Sequence, residues 1–293
     1  MEFPELRVAG AESPVDWTLR LADARPAASP GILLGRDELA AGIYGELRRT
    51  AAGLRIAYDD SGTFDIESGG GVIAWSPREG CDMELARVDI LGRVLSLAAY
   101  EQGLFALHGS AVALDAGAIG FLAPKGSGKS TLAMSLVARG ARLMTDDTLP
   151  VDPHTAMARP GVHSVRLWDD SAGRFAALGE SRIGLSDKHA FDLLPEGSVE
   201  RHARPLLALY EIVPIPMPDN GEGVRRERLA APAATIALMR HSKLGTLLGG
   251  AEAMEVFGRC AAIAERVAVY ELRVARNLER VDSVAATIAA WHS

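Results

Sequence analysis

The sequence predicts an α/β fold in two parts. Residues 1–97 read as a smaller strand-rich domain with a connecting helix, and residues 98–293 as a larger domain of strands and helices. Three observations lead there. Up to Trp75 the chain runs in short alternating apolar and polar stretches broken by Pro, Gly and Asp, which is the period of strands. From Met83 to Glu101 the period becomes helical. Between Ala118 and Arg139 an apolar stretch, a glycine-rich loop and a helical stretch follow one another.

The elements follow in order. Leu54–Asp60 and Thr63–Ser68 read as two strands about the Ser61-Gly62 turn, and Val72–Trp75 as a third strand after the glycines 69–71. Leu85, Val88, Leu91, Val94 and Leu95 recur at helical spacing, with Gly103 as the stop signal. Gly109–Leu122 is hairpin chemistry around Asp115-Ala116-Gly117. Its second strand, Ala118–Leu122, runs into APKGSGKST, and a helix follows to Arg139 with Gly140 as its cap. Ala141–Asp147 reads as the next strand and Leu206–Val213 as a later one; helices are expected near 232–241, 251–265 and 281–292.

The loop has a chemistry. Several backbone N–H groups can face one anion only if small residues let the chain take positive φ. A helix starting at the end of such a loop adds unpaired donors and the positive end of its dipole. Lys125, Gly126, Ser127, Gly128, Lys129, Ser130 and Thr131 meet both demands, so the stretch reads as a P-loop, with ATP and Mg²⁺ as its expected ligands. Lys129 would reach the β- and γ-phosphates and the Ser130 hydroxyl would hold Mg²⁺. Ala123 stands where the strict pattern begins with Gly.

Asp146 and Asp147 close the strand after the loop's helix, at the edge where α/β sheets bind ligands. One carboxylate is needed beside Mg²⁺, and a second could take a proton from an attacking hydroxyl. His108, in LHGSAV, precedes the hairpin and is a third candidate.

Composition bounds the partners. A formal charge of −7 speaks against nucleic acid, which needs a basic face. No window approaches the about 18 uninterrupted apolar residues of a membrane span, and MEFPELRVAG lacks signal-peptide pattern, so a cytoplasmic chain with no membrane association is expected. Cys81 and Cys260 match no metal-ligand spacing. The oligomeric state is left open, a homo-oligomer included.

LHGSAV, the hairpin, APKGSGKST, the helix and ARLMTDD together resemble the HPr kinase/phosphorylase superfamily, with a match over His108–Asp147. GVHSVRLWDDS, MRHS and VAVYELRVARNLERV are similar to its branch that phosphorylates lasso-peptide precursors on serine. The resemblance implies an HPr-kinase-like P-loop domain, with Asp146 as catalytic base, Asp147 with Ser130 at the metal, and His108 beside the base or the phosphates. Lys129 would act on the transferring group. The glycine-rich second signature of true HPr kinase/phosphorylases is missing; Arg166-Leu167-Trp168 stands in its place. That speaks against the reverse phosphorylase reaction.

The expected activity is therefore transfer of the ATP γ-phosphoryl group to a serine hydroxyl of a peptide or small protein. The alternatives are a nucleotide switch without an acceptor, a true HPr serine kinase, and a carboxykinase-like enzyme, for which no Lys/His metal constellation is visible. Arg166 with Trp168 could stack on adenine or hold the acceptor. Arg240–Lys243 is a possible acceptor-side element, while Arg225, Arg226 and Arg228 read as a solvated face and His163 as structural.

Overall fold

The computed structural model describes residues 3, 5–6, 15–22, 31–40, 42–183, 188–192, 194–216, 224–245, 247–275 and 277–293. It is a mixed α/β protein with several sheets, in two compact units.

The first unit holds residue 3, residues 15–106 and Ser242–Arg259, while residues 5 and 6 belong to the second. Its sheet has the order β1-β6-β5-β4-β3-β2. The strands are β1 (Thr18–Leu21), β2 (Ile32–Ala40), β3 (Ile43–Thr50), β4 (Gly53–Tyr58), β5 (Gly62–Glu67) and β6 (Val72–Pro77). β1 runs parallel to β6 and the other pairs are antiparallel. Leu54, Ile56, Phe64, Ile66, Ile73 and Trp75 alternate onto a buried face. The expected strands lie on β4, β5 and β6, whereas β1, β2 and β3 had no distinct sequence pattern.

The expected long helix is present as α1 (Met83–Asp89) and α2 (Leu95–Glu101), joined by a π-helical turn over Ile90–Val94. The hydroxyl of Ser96, in the first turn of α2, donates back to the carbonyl of Gly92 in that turn, 2.7 Å away. Such back-bonding competes with the helical ladder.

A single boundary near residue 98 needs correction, because Ser242–Arg259 joins the first unit. Leu244, Leu247 and Leu248 are buried, and the Gly249 N–H donates to the Leu34 carbonyl at 3.1 Å. Contacts between such distant stretches leave no trace in local periodicity.

The second unit contains Leu107–His241 and Cys260–Ser293. After β7 (Phe105–Leu107), β8 (Gly109–Ala113) and β9 (Ala118–Leu122) form the expected hairpin, closed by the Leu114 N–H on the Gly117 carbonyl. α3 (Lys129–Val137) ends two residues before the expected Arg139; Gly140, at φ 102°, leads out of it. β10 (Arg142–Thr145), β11 (Leu149–Val151), β12 (Met157–Ala158), β13 (Val165–Leu167), α4 (Asp169–Ala172), β14 (Arg182–Ile183) and β15 (His189–Phe191) follow. Then come β16 (Arg204–Ile215), β17 (Val224–Arg228), α5 (Ala231–Arg240), β18 (Ala268–Ala275) and α7 (Val281–Ala290); α6 (Gly250–Arg266) is counted with the first unit as far as Arg259 and with the second from Cys260.

β16 runs parallel to both β9 and β18, so the carboxyl ends of all three point to one edge. β10 is antiparallel to β8, and β8 to β9, which brings the end of β10 to that same edge. α3 and α7 pack over this sheet on Phe121, Leu136, Tyr210, Leu272 and Ile288. No helix among the described residues is long and apolar enough to cross a membrane.

Candidate functional site

β9 delivers the chain into a loop in which Gly126 and Gly128 take φ of 84° and 89°. A Cβ added at either would meet nothing within 4 Å, so what demands glycine here is backbone conformation rather than crowding. Gly128 is the N-cap of α3 and has no side chain to satisfy the helix's first N–H groups. They are left available to an anion.

Lys129 is buried to 7% exposure and its ammonium donates to the carbonyls of Ala123 (2.7 Å) and Pro124 (3.2 Å). It also lies 3.2 Å from His108 Nε2. An ammonium can only donate, so Nε2 is an acceptor here and the imidazole proton sits on Nδ1. That nitrogen faces the Asp147 carbonyl at 3.1 Å and its carboxylate at 3.3 Å. Lys129, His108 and Asp147 thus form one connected line.

The aspartates differ in setting. The strand stops at Thr145, short of the expected Asp147, and Asp147 itself adopts φ 72°. Asp is one of the few non-glycine residues that accept this conformation. The alternation of strand side chains therefore does not govern the pair. Asp146 is 7% exposed, and accepts hydrogen bonds from Ser110 and from Ser130, whose hydroxyl is 2.9 Å from each carboxylate oxygen. Burial raises its pKa; the Ser110 bond opposes this, and the Asp147 charge adds to it. Asp147 keeps its carboxylate 38% exposed.

Cations line the approach. Arg166 on β13 and Lys188 just before β15 border a cavity of ≈ 220 Å³ that also touches Gly126–Leu132. Burial, then Lys125 and Arg166, lower the Lys188 pKa. Among the described residues neither Lys125, Arg166 nor Lys188 has a carboxylate within ion-pair distance, so three positive side chains gather beside the glycine loop, with the charges of Asp146 and Asp147 acting on Lys188 from further off. Lys188 Nζ lies 4.8 Å from the centre of the Trp168 ring, which is 48% exposed.

No protein-family model matches the sequence, and no curated protein matches it. Among solved structures it is similar to the Hpr(Ser) kinase/phosphatase from Coxiella burnetii, at 12% identity over 64% of this chain and 95% of that one, with a TM-score of 0.32. So loose an overlap leaves the functional reading to the side chains themselves.

Ser110 and Lys188 escaped the sequence reading. Ser110 had a signal, a hydroxyl in the otherwise apolar strand Gly109–Ala113. Lys188 had none, since its place depends on β15 pairing with β13. The remaining candidates lie elsewhere in the unit. Arg240 and His241 both bind Glu211, at 2.6 and 3.0 Å, which explains them without an acceptor. The His241 carbonyl takes the His108 N–H at 2.7 Å, so this pair anchors the backbone of the site. Arg226 is not solvated as expected: it donates to the Tyr210 hydroxyl at 3.0 Å and lies over the Trp291 ring at 4.4 Å. His163 faces the Glu200 carbonyl at 2.9 Å, in keeping with a structural role. Cys260 is buried, its pKa pushed up to about 12.

ATP and a divalent cation fit this set. Among the described residues no group of three His, Cys, Asp or Glu could hold a metal alone. Ser130 and Asp146 would supply a partial ligand set of the kind Mg²⁺ takes when phosphate oxygens and water complete its shell.

Proposed function

We propose that the chain is an ATP-dependent kinase that transfers the γ-phosphoryl group to a serine hydroxyl of a peptide or small protein. The observation that carries this is the pairing of Ser130 with Asp146 beside a second, exposed carboxylate held by His108, all at the mouth of a glycine loop. A nucleotide-binding switch has no use for that second carboxylate.

The contacts favour a division of labour opposite to that expected from the resemblance. Asp146 is buried and committed to Ser110 and Ser130, which suits it to orient the Ser130 hydroxyl and share the cation. Asp147 is exposed and turned by His108, which suits it to receive a proton. Mg²⁺, held through Ser130 and Asp146, would neutralise charge on the phosphates. In the transfer the serine oxygen bonds to phosphorus, the bond to the bridging oxygen of ADP breaks, and the hydroxyl proton passes to Asp147. Lys129 leaves its two carbonyls for phosphate oxygens, while Lys125, Arg166 and Lys188 hold the remaining charge of the polyphosphate. The domain doing this is the second unit, and the acceptor belongs to a peptide end, which reaches an in-line position more readily than a buried side chain.

The test incubates the protein with MgATP, a panel of serine peptides and HPr, and follows masses; one phosphoryl group adds about 80 Da. We expect the gain on a peptide and its loss in Lys129→Ala. ATP hydrolysis with no labelled acceptor would favour the switch reading, and label on HPr alone would change the acceptor class.

A further inference from the structure

We propose that the apolar end of the cavity beside the glycine loop is a seat for a purine base, so that this protein selects ATP or GTP over pyrimidine nucleotides. The proposal rests on the reading that a triphosphate lies on the loop, and extends it to the part of the ligand that carries identity.

The cavity has two chemically different ends within the second unit. One is the loop and the start of α3, with Arg166 and Lys188 beside it. The other is walled by Ile212 from β16, Val274 from β18, Leu278, and Val281 and Val284 from α7. Val274 and Val281 are partly buried against the core of the unit, while Ile212 and Val284 are themselves buried. This end lies along the carboxyl-terminal halves of the parallel strands β16 and β18 and just past the end of β9, whose last residue Leu122 pairs with Glu211, on the edge where open α/β sheets place their ligands. A ligand spanning both ends must be anionic at one and flat or aliphatic at the other. Nucleoside triphosphates have that polarity.

Asn277 separates a base from a plain alkyl group. It borders the cavity, and its Oδ1 accepts the Glu279 N–H at 2.8 Å, which fixes the plane of the amide. Among the described residues nothing accepts the two Nδ2 hydrogens, and a purine ring offers unprotonated nitrogens for them. An alkyl chain would leave that donor desolvated and unpaired. Trp168 is a poorer seat: one face of its ring carries the Lys188 ammonium, and it stands at the cationic end, where phosphates belong.

The slot is fixed relative to the loop. Asp282, in the first turn of α7, accepts the Ser135 hydroxyl of α3 at 2.7 Å and an Arg174 guanidinium N–H at 2.5 Å. Loop and slot thus sit on two helices tied together by a shared carboxylate, and the distance between phosphates and base is set before the ligand arrives.

Calorimetry of the full chain with Mg²⁺ and inorganic triphosphate, ATP, GTP, CTP or UTP tests this. Triphosphate should bind, and ATP or GTP should bind roughly tenfold or more tighter than CTP or UTP, reflecting the greater ring area buried. Val281→Glu puts a charge into the slot at a helix N-terminus that tolerates acids; it should bring ATP down to the affinity of triphosphate and leave triphosphate itself unchanged. Equal affinity for all four nucleotides would overturn the slot while leaving the loop reading intact. Failure of triphosphate and every nucleotide to bind would overturn both. The wild-type panel decides the matter even if Val281→Glu does not fold.

Discussion

At the scale of single residues, the site turns on two aspartates that are adjacent in sequence but not in role. Asp147→Asn removes the proton acceptor and keeps the shape, so phosphoryl transfer should fall by about 10²–10⁴ with little change in ATP affinity, as read by single-turnover kinetics and calorimetry. Asp146→Asn should instead raise the Mg²⁺ concentration needed for half-maximal activity, because Ser130 loses the carboxylate that orients it. If Asp146→Asn abolishes transfer at saturating Mg²⁺ and Asp147→Asn does not, the assignment reverts to the order implied by the resemblance. The glycine loop, the two aspartates and His108 each sit beside a sequence signal (glycines, a strand, a helix start), whereas Lys188 has none because its place depends on β15 pairing with β13. The split between the aspartates was not, since it depends on where β10 stops and on the left-handed turn at Asp147.

At the scale of elements, the loop into α3 and the turn inside the long N-terminal helix make separate predictions. Gly128→Ala forces a side chain into φ 89° and should cost roughly 1–2 kcal/mol of backbone strain. Open space surrounds the position, so the protein should still fold, and the loss should appear as weaker triphosphate binding. Asp89 closes α1, with its carboxylate accepting the Ser61 hydroxyl at 2.5 Å. Burial raises its pKa to about 6, the Ser61 bond opposes this, and Asp60 adds to it. The folded state therefore keeps a proton that the unfolded chain releases near 4. Its contribution to stability is full below the unfolded pKa and declines as pH rises through about 6. Asp89→Asn should flatten that decline in thermal melts between pH 4 and 8; an unchanged slope would show that Asp89 does not carry it. The sequence showed this helix by its period, but not its π turn. Apolar spacing registers a face and is blind to a one-residue change in hydrogen-bond register.

At the scale of the molecule, the glycine-loop site belongs to one unit and the six-stranded sheet to another, yet neither unit is a continuous piece of chain. A fragment spanning residues 107–293 would carry Ser242–Arg259 without the strands it packs with. Leu244, Leu247 and Leu248 would lie bare, and the Tyr100 hydroxyl bond to Glu255, 2.8 Å long in the full chain, would be absent. We expect that fragment to bind a hydrophobic dye and to melt without cooperativity in the absence of ligand, where the full chain melts sharply and binds little dye. A fragment that behaves like the full chain would show that the second unit stands alone. The change of period at Met83 marked where strands give way to a helix, but nothing in the sequence marked the return of residues 242–259 to the unit of those strands. Their burial depends on strands two hundred positions earlier, as with the Gly249 N–H on the Leu34 carbonyl. The interleaving also bears on descent. A gene rearrangement that grafts a foreign front half onto this back half delivers a strand-rich unit lacking its matched helix, and one that removes the front leaves that helix orphaned. Lineages carrying this protein are thus expected to alter the unit by gradual substitution on both sides of the interruption, with paired changes around Leu34 and Leu247, and not by exchange of a cassette.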